Sequence, residues 1–401
     1  MFVLLTACMA LTAMNTHPQS ETVRVATFNI WELSASKLNQ VGERGHGTNP
    51  QLRKAAEIIQ RVRPDVLLIN EIDFDEKGEN AARFQQRYLA VGQEGREPIR
   101  YPHVFVAPVN TGVPSGFDLD RDGSPGGPGD ALGYGKYPGQ YGMALFSRFP
   151  LDAGAARTFQ KLLWKDVPGH HMPDGTGGKP EWYKPEEVAI FRLSSKSHWD
   201  VPVKIGDTVL HVLAAHPTPP VFDGPEDRNG RRAFDEIRLW ADYLTGGKAA
   251  DYIVDDRGRR GGLPADARFV ILGDLNSDPA KGERVDGRAP IDLLLKHPRV
   301  QDPEPRSEGS LADAKDYPGD KSARTCDFGR LDYVLPCREL TAKKAGVFWP
   351  KPSDPLHRLV AKPDGSSDHR LVWVDLELGT EKKNAGTKAT TQIEASLDSD
   401  P

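Results

Sequence analysis

Short polar clusters at the ends of apolar runs are the feature of this sequence that most restricts its fold. Val23–Ala26, Val66–Ile69 and Phe269–Leu272 are strand-like, and each leads within three residues to an amide or carboxylate side chain. Functional side chains tend to lie where a rigid sheet passes into a loop, so these runs predict strands that deliver polar groups to one site. Because the clusters span most of the chain, one site requires both halves of it in a single domain.

The residue types in the clusters suit metal-assisted hydrolysis of a phosphoester. They supply amides, isolated carboxylates and an imidazole, which serve as oxygen ligands for a hard cation and as acid–base groups. The members are Asn29, Glu71, Asp274, Asn276, Asp368 and His369. Taken singly, Asn29 or the Asp-His pair would more often be a turn or surface residue, but the ensemble indicates an enzyme.

Apolar periodicity predicts an α/β fold with two packed sheets flanked by helices. Leu52–Val62 and Arg231–Leu244 repeat apolar residues at helical spacing, and Phe84–Leu89 is expected on another helix. The further expected strands are Met143–Phe146, Val188–Leu193, Val209–Ala215, Leu331–Leu335 and Leu371–Leu376.

The order of the clusters resembles that of a known superfamily. The chain carries in succession Thr27-Phe28-Asn29, Asn70-Glu71, Gly273-Asp274-Leu275-Asn276, Arg330-Leu331-Asp332-Tyr333 and Ser367-Asp368-His369. This series, from about Thr22 to Leu378, resembles the endonuclease/exonuclease/phosphatase superfamily of DNase-I-like phosphoesterases. The resemblance implies a four-layered α/β sandwich of two mostly antiparallel sheets, with Mg²⁺ or Mn²⁺ as cofactor.

The resemblance also implies ligands and substrate contacts. Asn29, Glu71 and Asp368 are expected to bind the metal, and Asn29 and Asn276 to hold the phosphate. Arg231, in a locally basic stretch, is a further candidate for substrate binding.

Catalytic roles follow from the same resemblance. Asp274 would orient or deprotonate the attacking water, and Asp332 would orient a histidine. His216 would act as general acid on the leaving oxygen, held by Glu187 on a neighbouring strand, with Glu186 as the alternative. The expected catalytic residues are His216, Asp274, Asn276, Asp332, His369 and Glu187.

Two stretches fall outside the shared pattern. The Gly/Pro-rich insertion Thr111–Gln140 contains Asp118, Asp120 and Asp122 at the spacing that starts a calcium loop, although Gly129 stands where such a loop ends in Glu. It predicts either a structural Ca²⁺ site or an acidic solvated loop. Ser194–Trp199 would place cationic and aromatic groups near the cleft, or else form an ordinary hairpin.

The ends of the chain differ in composition from its middle. Residues 1–20 begin with an apolar, uncharged segment that is too short to span a bilayer but suits an export signal, and Leu5-Thr6-Ala7-Cys8 would allow lipidation of Cys8. An ordinary cleaved leader or a frayed apolar end is the alternative. Residues 21–378 are expected to form the catalytic domain, and polar residues 379–401 a disordered tail.

The two cysteines outside the leader, Cys326 and Cys337, flank an expected strand. They would form a disulfide in an oxidising compartment, or remain separate thiols.

Three functions compete. The first is an exported, monomeric, metal-dependent phosphoesterase, for which a small molecule or head group is favoured because the insertion could wall off the cleft. The second is an extracellular DNase-like endonuclease. It needs a basic groove, which Arg228, Arg231 and Arg232 could begin, although a net charge of −5 argues against general affinity for polyanions. The third is an inactive binding protein on the same fold.

Overall fold

The computed structural model describes residues 22–313 and 316–379. Its strands, in chain order, are β1 (Thr22–Leu33), β2 (Val66–Ile72), β3 (His103–Phe105), β4 (Gly142–Ser147), β5 (Arg157–Thr158), β6 (His198–Ile205), β7 (Thr208–Ala215), β8 (Arg268–Asp274), β9 (Asp332–Pro336), β10 (Thr341–Val347) and β11 (Val372–Glu377).

The α-helices lie between the strands and are mostly short. They are α1 (Ala35–Leu38), α2 (Pro50–Val62), α3 (Glu79–Phe84), α4 (Pro185–Val188), α5 (Arg228–Thr245), α6 (Asp292–Leu295) and α7 (Glu308–Asp313). A π-helical turn, Gln85–Leu89, extends α3.

The strands form two mixed sheets. The six-stranded sheet has the order β10-β11-β1-β2-β4-β3, and the five-stranded sheet the order β5-β6-β7-β8-β9. β1 and β2 are parallel, as are β7 and β8, whereas the remaining neighbours are antiparallel. β1 and β2 pack across the sandwich against β8. The predicted α/β sandwich of two mostly antiparallel sheets is confirmed.

Local sequence explains where α2 begins and ends. Asn49 Oδ1 accepts a hydrogen bond from Leu52 N at 3.1 Å, and Pro50 occupies the first turn, where its missing N–H costs nothing. Arg63, with a left-handed φ of 53°, ends the helix just before Pro64. The apolar face of α2 is buried, which matches its helical spacing.

The expected strand Val188–Leu193 is wrong. Pro185 starts the short helix α4 in its place, and the Glu187 carboxylate accepts a hydrogen bond from Lys184 N at 2.9 Å at the helix start. The strand that fills this part of the sheet is β6, which contains Pro202 and buried polar side chains and therefore lacks a clear alternating pattern.

Cys326 and Cys337 are both buried free thiols. Cys337 directly follows β9, whereas Cys326 lies in the loop before that strand and pairs through its backbone with His369. The disulfide alternative is therefore wrong for this structure.

The predicted leader, with Cys8, and the tail from residue 380 onward lie outside the described residues. Within residues 22–313 and 316–379, no helix is long and apolar enough to cross a membrane.

Candidate active site

Two adjacent parallel strands bring the first functional side chains together. Asn29 of β1 pairs in register with Asn70 of β2, and both strands become irregular directly afterwards. Glu71 has a left-handed φ of 69° and Glu32 one of 51°, which is uncommon for non-glycine residues. Such irregularities redirect side chains next to active sites. Glu71 Oε2 accepts a hydrogen bond from Glu32 N at 2.9 Å, which fixes the carboxylate.

The Asp274 carboxylate is the point on which the predicted residues converge. Asn29 Nδ2 donates to Asp274 Oδ2 at 3.0 Å and also to Glu71 Oε1 at 3.0 Å. His216 Nε2 lies 3.5 Å and His369 Nε2 lies 3.7 Å from the same Asp274 oxygen. Residues from both sheets thus meet in one buried cluster.

Close backbone approach holds Asp274 in this position. A Cβ atom added to Gly273 would lie 1.9 Å from the carbonyl oxygen of Ala215, so only glycine allows β8 to end this near to β7. Asn70 Oδ1 accepts a hydrogen bond from Asp274 N at 3.3 Å. Asn276, with a left-handed φ of 50°, donates its N–H to Asp274 Oδ1 at 3.0 Å. Burial raises the pKa of Asp274 to about 7, against the positive charge of His369.

A chain of hydrogen bonds orients His369. Asp332 Oδ2 lies 2.8 Å from His369 Nδ1 and accepts a hydrogen bond from Thr325 Oγ1 at 2.7 Å. Burial alone lowers the pKa of His369, but the negative charges of Asp332 and Asp274 outweigh it and hold this pKa well above its ordinary value. The predicted contact between Asp332 and a histidine is present, and the histidine is a buried cation.

His216 differs from His369 in charge. Its burial, together with the positive charges of Lys196 and His369, holds the pKa of His216 well below the ordinary value, so the ring is neutral near pH 7. His216 Nδ1 has no hydrogen-bond partner among the described residues.

Glu187 does not hold His216 as expected. Its carboxylate instead accepts a hydrogen bond from the Arg121 guanidinium at 2.7 Å, in a pair that uses both carboxylate oxygens. Such bidentate charged pairs are strong, and this one ties the insertion to α4.

An oxygen-rich corner of the site fits a divalent cation. Asn29 Oδ1 is buried and has no hydrogen-bond partner among the described residues. The Glu71 carboxylate lies beside the same amide. Amide and carboxylate oxygens of this kind are the metal ligands that Mg²⁺ prefers. Asp368 is half-buried, and its Oδ1 accepts a hydrogen bond from Ser367 Oγ at 3.3 Å. Its role as a metal ligand stays a prediction.

A second group compatible with metal binding by distance alone consists of Asp274, Asp332 and His369. His369 Nδ1 already lies 2.8 Å from Asp332 Oδ2, and the negative charges of Asp332 and Asp274 raise the pKa of the ring, which favours hydrogen-bond donation over metal ligation. The group is therefore better described as a charged hydrogen-bond network than as the metal site.

The acidic insertion forms a cluster that differs in membership from the expected one. Asp118 and Asp120 lie with Asp130, and not with Asp122, at distances that would allow a shared cation. The Asp130 carboxylate already accepts backbone hydrogen bonds, including those from Leu119 N at 2.6 Å and Gly126 N at 2.8 Å. Calcium binding here stays a prediction.

The expected basic groove is largely neutralised. Arg231 Nε donates to the Glu226 carbonyl oxygen at 3.1 Å, and Arg228 pairs with the Glu226 carboxylate. Arg232 is buried, and its guanidinium donates to carbonyl oxygens, including that of Leu193 at 2.8 Å. Within residues 22–313 and 316–379, the Arg231 guanidinium contacts Glu226 and Asp227 and not the Asp274 cluster, so the structure does not bring it together with the other predicted site residues.

The sequence patterns assigned no individual role to three supporting residues, Ser367, Thr325 and Lys196. Ser367 Oγ donates to the Asn29 carbonyl oxygen at 2.7 Å and accepts from His369 N at 3.1 Å, which joins two clusters. Thr325, which supports Asp332, has no distinguishing pattern around it. Lys196 lies in the Ser194–Trp199 stretch that was expected near the cleft, and its charge acts on His216.

This geometry has counterparts in known proteins. The sequence matches the Endonuclease/Exonuclease/phosphatase family over residues 26–369. The protein belongs to this family. Members of the family hydrolyse phosphoester bonds and are generally dependent on a divalent metal, so the protein is a hydrolase with a candidate metal site. No protein of curated function matches its sequence.

Solved structures of the family are similar in fold. An endonuclease/exonuclease/phosphatase from Beutenbergia cavernae is 16% identical, with a TM-score of 0.50 over 89% of this chain and 72% of that one. Sphingomyelinase C from Streptomyces griseocarneus is 15% identical, with a TM-score of 0.44 over 88% of this chain and 99% of that one. A mannosyl-6-phosphatase from Bacteroides thetaiotaomicron is 13% identical, with a TM-score of 0.43 over 88% of this chain and 99% of that one.

Proposed function

We propose that the protein hydrolyses a small-molecule or head-group phosphoester with Mg²⁺ or Mn²⁺ as cofactor. The observation that carries this proposal is the convergence of Asn29, His216 and His369 on the Asp274 carboxylate, within 3.0–3.7 Å. These side chains are intact and mutually oriented, which argues against an inactive binding protein.

The environments of the side chains support a division of roles. The buried Asp274 carboxylate, with its raised pKa, suits a base that orients and deprotonates water near neutral pH. The Asn276 amide and the cationic His369 suit the phosphate oxygens. Because His216 is neutral in the free enzyme, it would donate a hydrogen bond to the leaving oxygen from an uncharged ring rather than as an imidazolium.

Asn29 and Glu71 are the residues best placed to hold the metal, with Asp368 as a third candidate. A bound divalent cation would polarise a phosphoryl oxygen and lower the pKa of a bound water.

Two observations favour a small substrate over nucleic acid. The arginines expected to start a groove, Arg228, Arg231 and Arg232, are paired with acidic groups or with carbonyl oxygens. The insertion also packs closely on the Ser194–Trp199 stretch, since a Cβ atom on Gly133 would lie 1.9 Å from the Ser195 carbonyl oxygen. A wall at this place restricts an extended duplex.

The test is an assay of metal-free protein with Mg²⁺, Mn²⁺ or Ca²⁺ added back. The substrates are p-nitrophenyl phosphate, bis-p-nitrophenyl phosphate and plasmid DNA, with Asp274→Asn as the matched control. We expect metal-dependent turnover of a small ester that the variant loses. Efficient plasmid cleavage with negligible small-ester turnover would overturn the choice of substrate, and inactivity on all three with every metal would contradict the function.

Export remains a proposal that rests on the apolar first residues of the sequence. Fractionation of cells that express the full chain would test it. Accumulation of the protein outside the cytoplasm is expected for the full chain and should fail when residues 1–20 are deleted.

A further inference from the structure

Lys196 is a buried lysine beside the active site. The residue is 6% exposed, and within residues 22–313 and 316–379 its ammonium group forms no ion pair with a carboxylate. Its one hydrogen bond in this part of the chain is a long one, from Nζ to the Pro217 carbonyl oxygen at 3.4 Å. A buried, unpaired ammonium is costly, so its retention points to a partner that arrives from outside the protein.

The Lys196 ammonium group and the Asn276 side-chain amide donate hydrogen bonds to the same carbonyl oxygen, that of Pro217. The Pro217 oxygen also accepts a hydrogen bond from Asn276 Nδ2 at 3.1 Å. The Lys196 ammonium and the Asn276 amide, which is predicted to donate a hydrogen bond to the phosphate, therefore lie side by side.

Electrostatics place the same ammonium within range of the catalytic carboxylates. Burial lowers the pKa of Lys196, and the negative charges of Glu236, Glu71 and Asp274 act in the opposite direction. Glu236 is already engaged, because its two carboxylate oxygens accept hydrogen bonds from Ser195 N and Thr218 N at 2.6 Å each.

Neighbouring polar atoms also lack partners. Ser195 Oγ, Thr218 Oγ1 and His216 Nδ1 are buried without a hydrogen-bond partner in the described part of the chain. Buried polar groups are normally hydrogen-bonded, so several unsatisfied atoms in the two segments that meet at Lys196 and Pro217 indicate a place for a polar ligand.

The backbone at Lys196 is fixed by the insertion. The Lys196 carbonyl oxygen accepts a hydrogen bond from Asn110 N at 2.9 Å, and Gly133 packs on Ser195. The lysine is thus held before substrate arrives, which reduces the entropy lost on binding.

We propose that the Lys196 ammonium binds a non-bridging oxygen of the substrate phosphate next to the Asn276 amide and is a further catalytic residue of this site. The proposal rests on the proposed function. Its chemistry requires an anionic oxygen, which both a phosphoester and its product, inorganic phosphate, provide.

The experiment compares Lys196→Met with Lys204→Met. Lys204 is exposed on β6, close to Lys196 in sequence, so its substitution removes the same charge without reaching the site. Binding of inorganic phosphate in the presence of Mg²⁺ is measured by calorimetry, and kcat and KM on the best small ester are measured in parallel. Melting temperatures are recorded with and without phosphate, and Lys196→Gln serves as a second variant.

Lys196→Met should weaken phosphate binding by roughly ten- to a hundredfold, the range for a hydrogen bond to a charged group. It should lower kcat/KM by at least as much, and phosphate should no longer raise its melting temperature. Without phosphate, its melting temperature should equal or exceed that of the wild type, because a buried unpaired charge is gone. Lys204→Met should match the wild type in every measurement.

Several outcomes would overturn the proposal. Phosphate affinity and kcat/KM that match the Lys204→Met values would exclude contact with the phosphate. A melting temperature far below the wild type in both Lys196 variants would assign Lys196 a structural role. Loss of phosphate binding in Lys196→Met, with a wild type that hydrolyses no ester, would support the lysine and contradict the proposed function, so the two failures are distinguishable.

Discussion

At the scale of single residues, several side chains of the candidate active site combine uncommon backbone conformations or unsatisfied polar atoms with burial. Glu71 and Asn276 adopt left-handed backbone conformations, with φ of 69° and 50°. Asn29 Oδ1 and Asp332 Oδ1 are buried without hydrogen-bond partners in the described residues. Such features cost stability and persist where function requires them.

The division of roles between Glu71 and Asp274 predicts different defects on substitution. Glu71→Gln removes a charge from the metal corner and should weaken metal binding by on the order of tenfold or more. Asp274→Asn removes the base and should lower kcat by about 10²- to 10⁴-fold while metal affinity is retained. Calorimetric metal titration and steady-state kinetics measure the two effects. Equal loss of metal affinity in both variants would contradict the division.

At the scale of elements, the insertion between β3 and β4 shapes the site by packing on the segment before β6. Gly133→Ala should destabilise the protein by about 1–3 kcal/mol, because the new Cβ would lie 1.9 Å from a backbone oxygen of Ser195 and force a shift. It should also raise KM, since Ser195 precedes Lys196.

The matched control for this substitution is Gly127→Ala in the same insertion. There the nearest atom to an added Cβ is Asp130 Oδ2 at 3.7 Å, an ordinary contact, so stability should change by less than about 0.5 kcal/mol. Denaturant unfolding and KM measured for both variants test the difference. Similar effects of the two substitutions would show that the insertion does not shape the site.

His171, in the segment between β5 and β6, contacts Asp235 of α5. This contact should make the free energy of unfolding depend on pH. The hydrogen bond to Asp235, 2.8 Å from His171 Nδ1, raises the pKa of His171 against the opposing effect of burial. A raised folded-state pKa contributes stability that is fully present below the unfolded pKa and is lost as pH rises through the folded pKa. His171→Gln should therefore lose more stability relative to wild type at about pH 5.5 than at about pH 9.

The adjacent His170 provides a control of opposite sign. Burial lowers the pKa of His170, so protonation of the unfolded chain at low pH reduces the stability of the wild type. His170→Gln should relieve this loss, and its stability relative to wild type should be higher at about pH 5.5 than at about pH 9. Urea unfolding at both values measures the trends, and the same trend in both variants would refute this assignment.

At the scale of the whole molecule, net charge separates a small substrate from nucleic acid. A protein with net charge −5 can bind DNA only through a local patch, and the arginines expected to form one are paired. Between about 50 and 200 mM salt, kcat/KM on a small ester should change by less than about threefold. Binding through six to ten phosphate contacts would weaken by about 10³- to 10⁵-fold over that range. A steep salt dependence would favour the nuclease alternative.

The sequence alone determined the family, the sandwich and most of the residues that meet in the candidate site. Asn29, Glu71, Asp274, Asn276 and His369 follow directly on apolar strands or stand in motifs beside them, and local periodicity is sufficient to locate such positions. Strands without a clear apolar pattern in their sequence were not predicted. β6 carries a proline and buried polar residues, and β10 is a lysine-containing edge strand.

Only the tertiary structure decided the partners of the site residues. The pairing of Glu187 with Arg121 instead of His216 depends on how a long insertion folds back, which no local pattern encodes. The different protonation states of His216 and His369 arise from burial and from charged groups supplied by distant segments. Protonation and ion pairing depend on distances in space, whereas strands and helices depend mainly on neighbours in sequence, and this is why the sequence determined the scaffold but not its electrostatics.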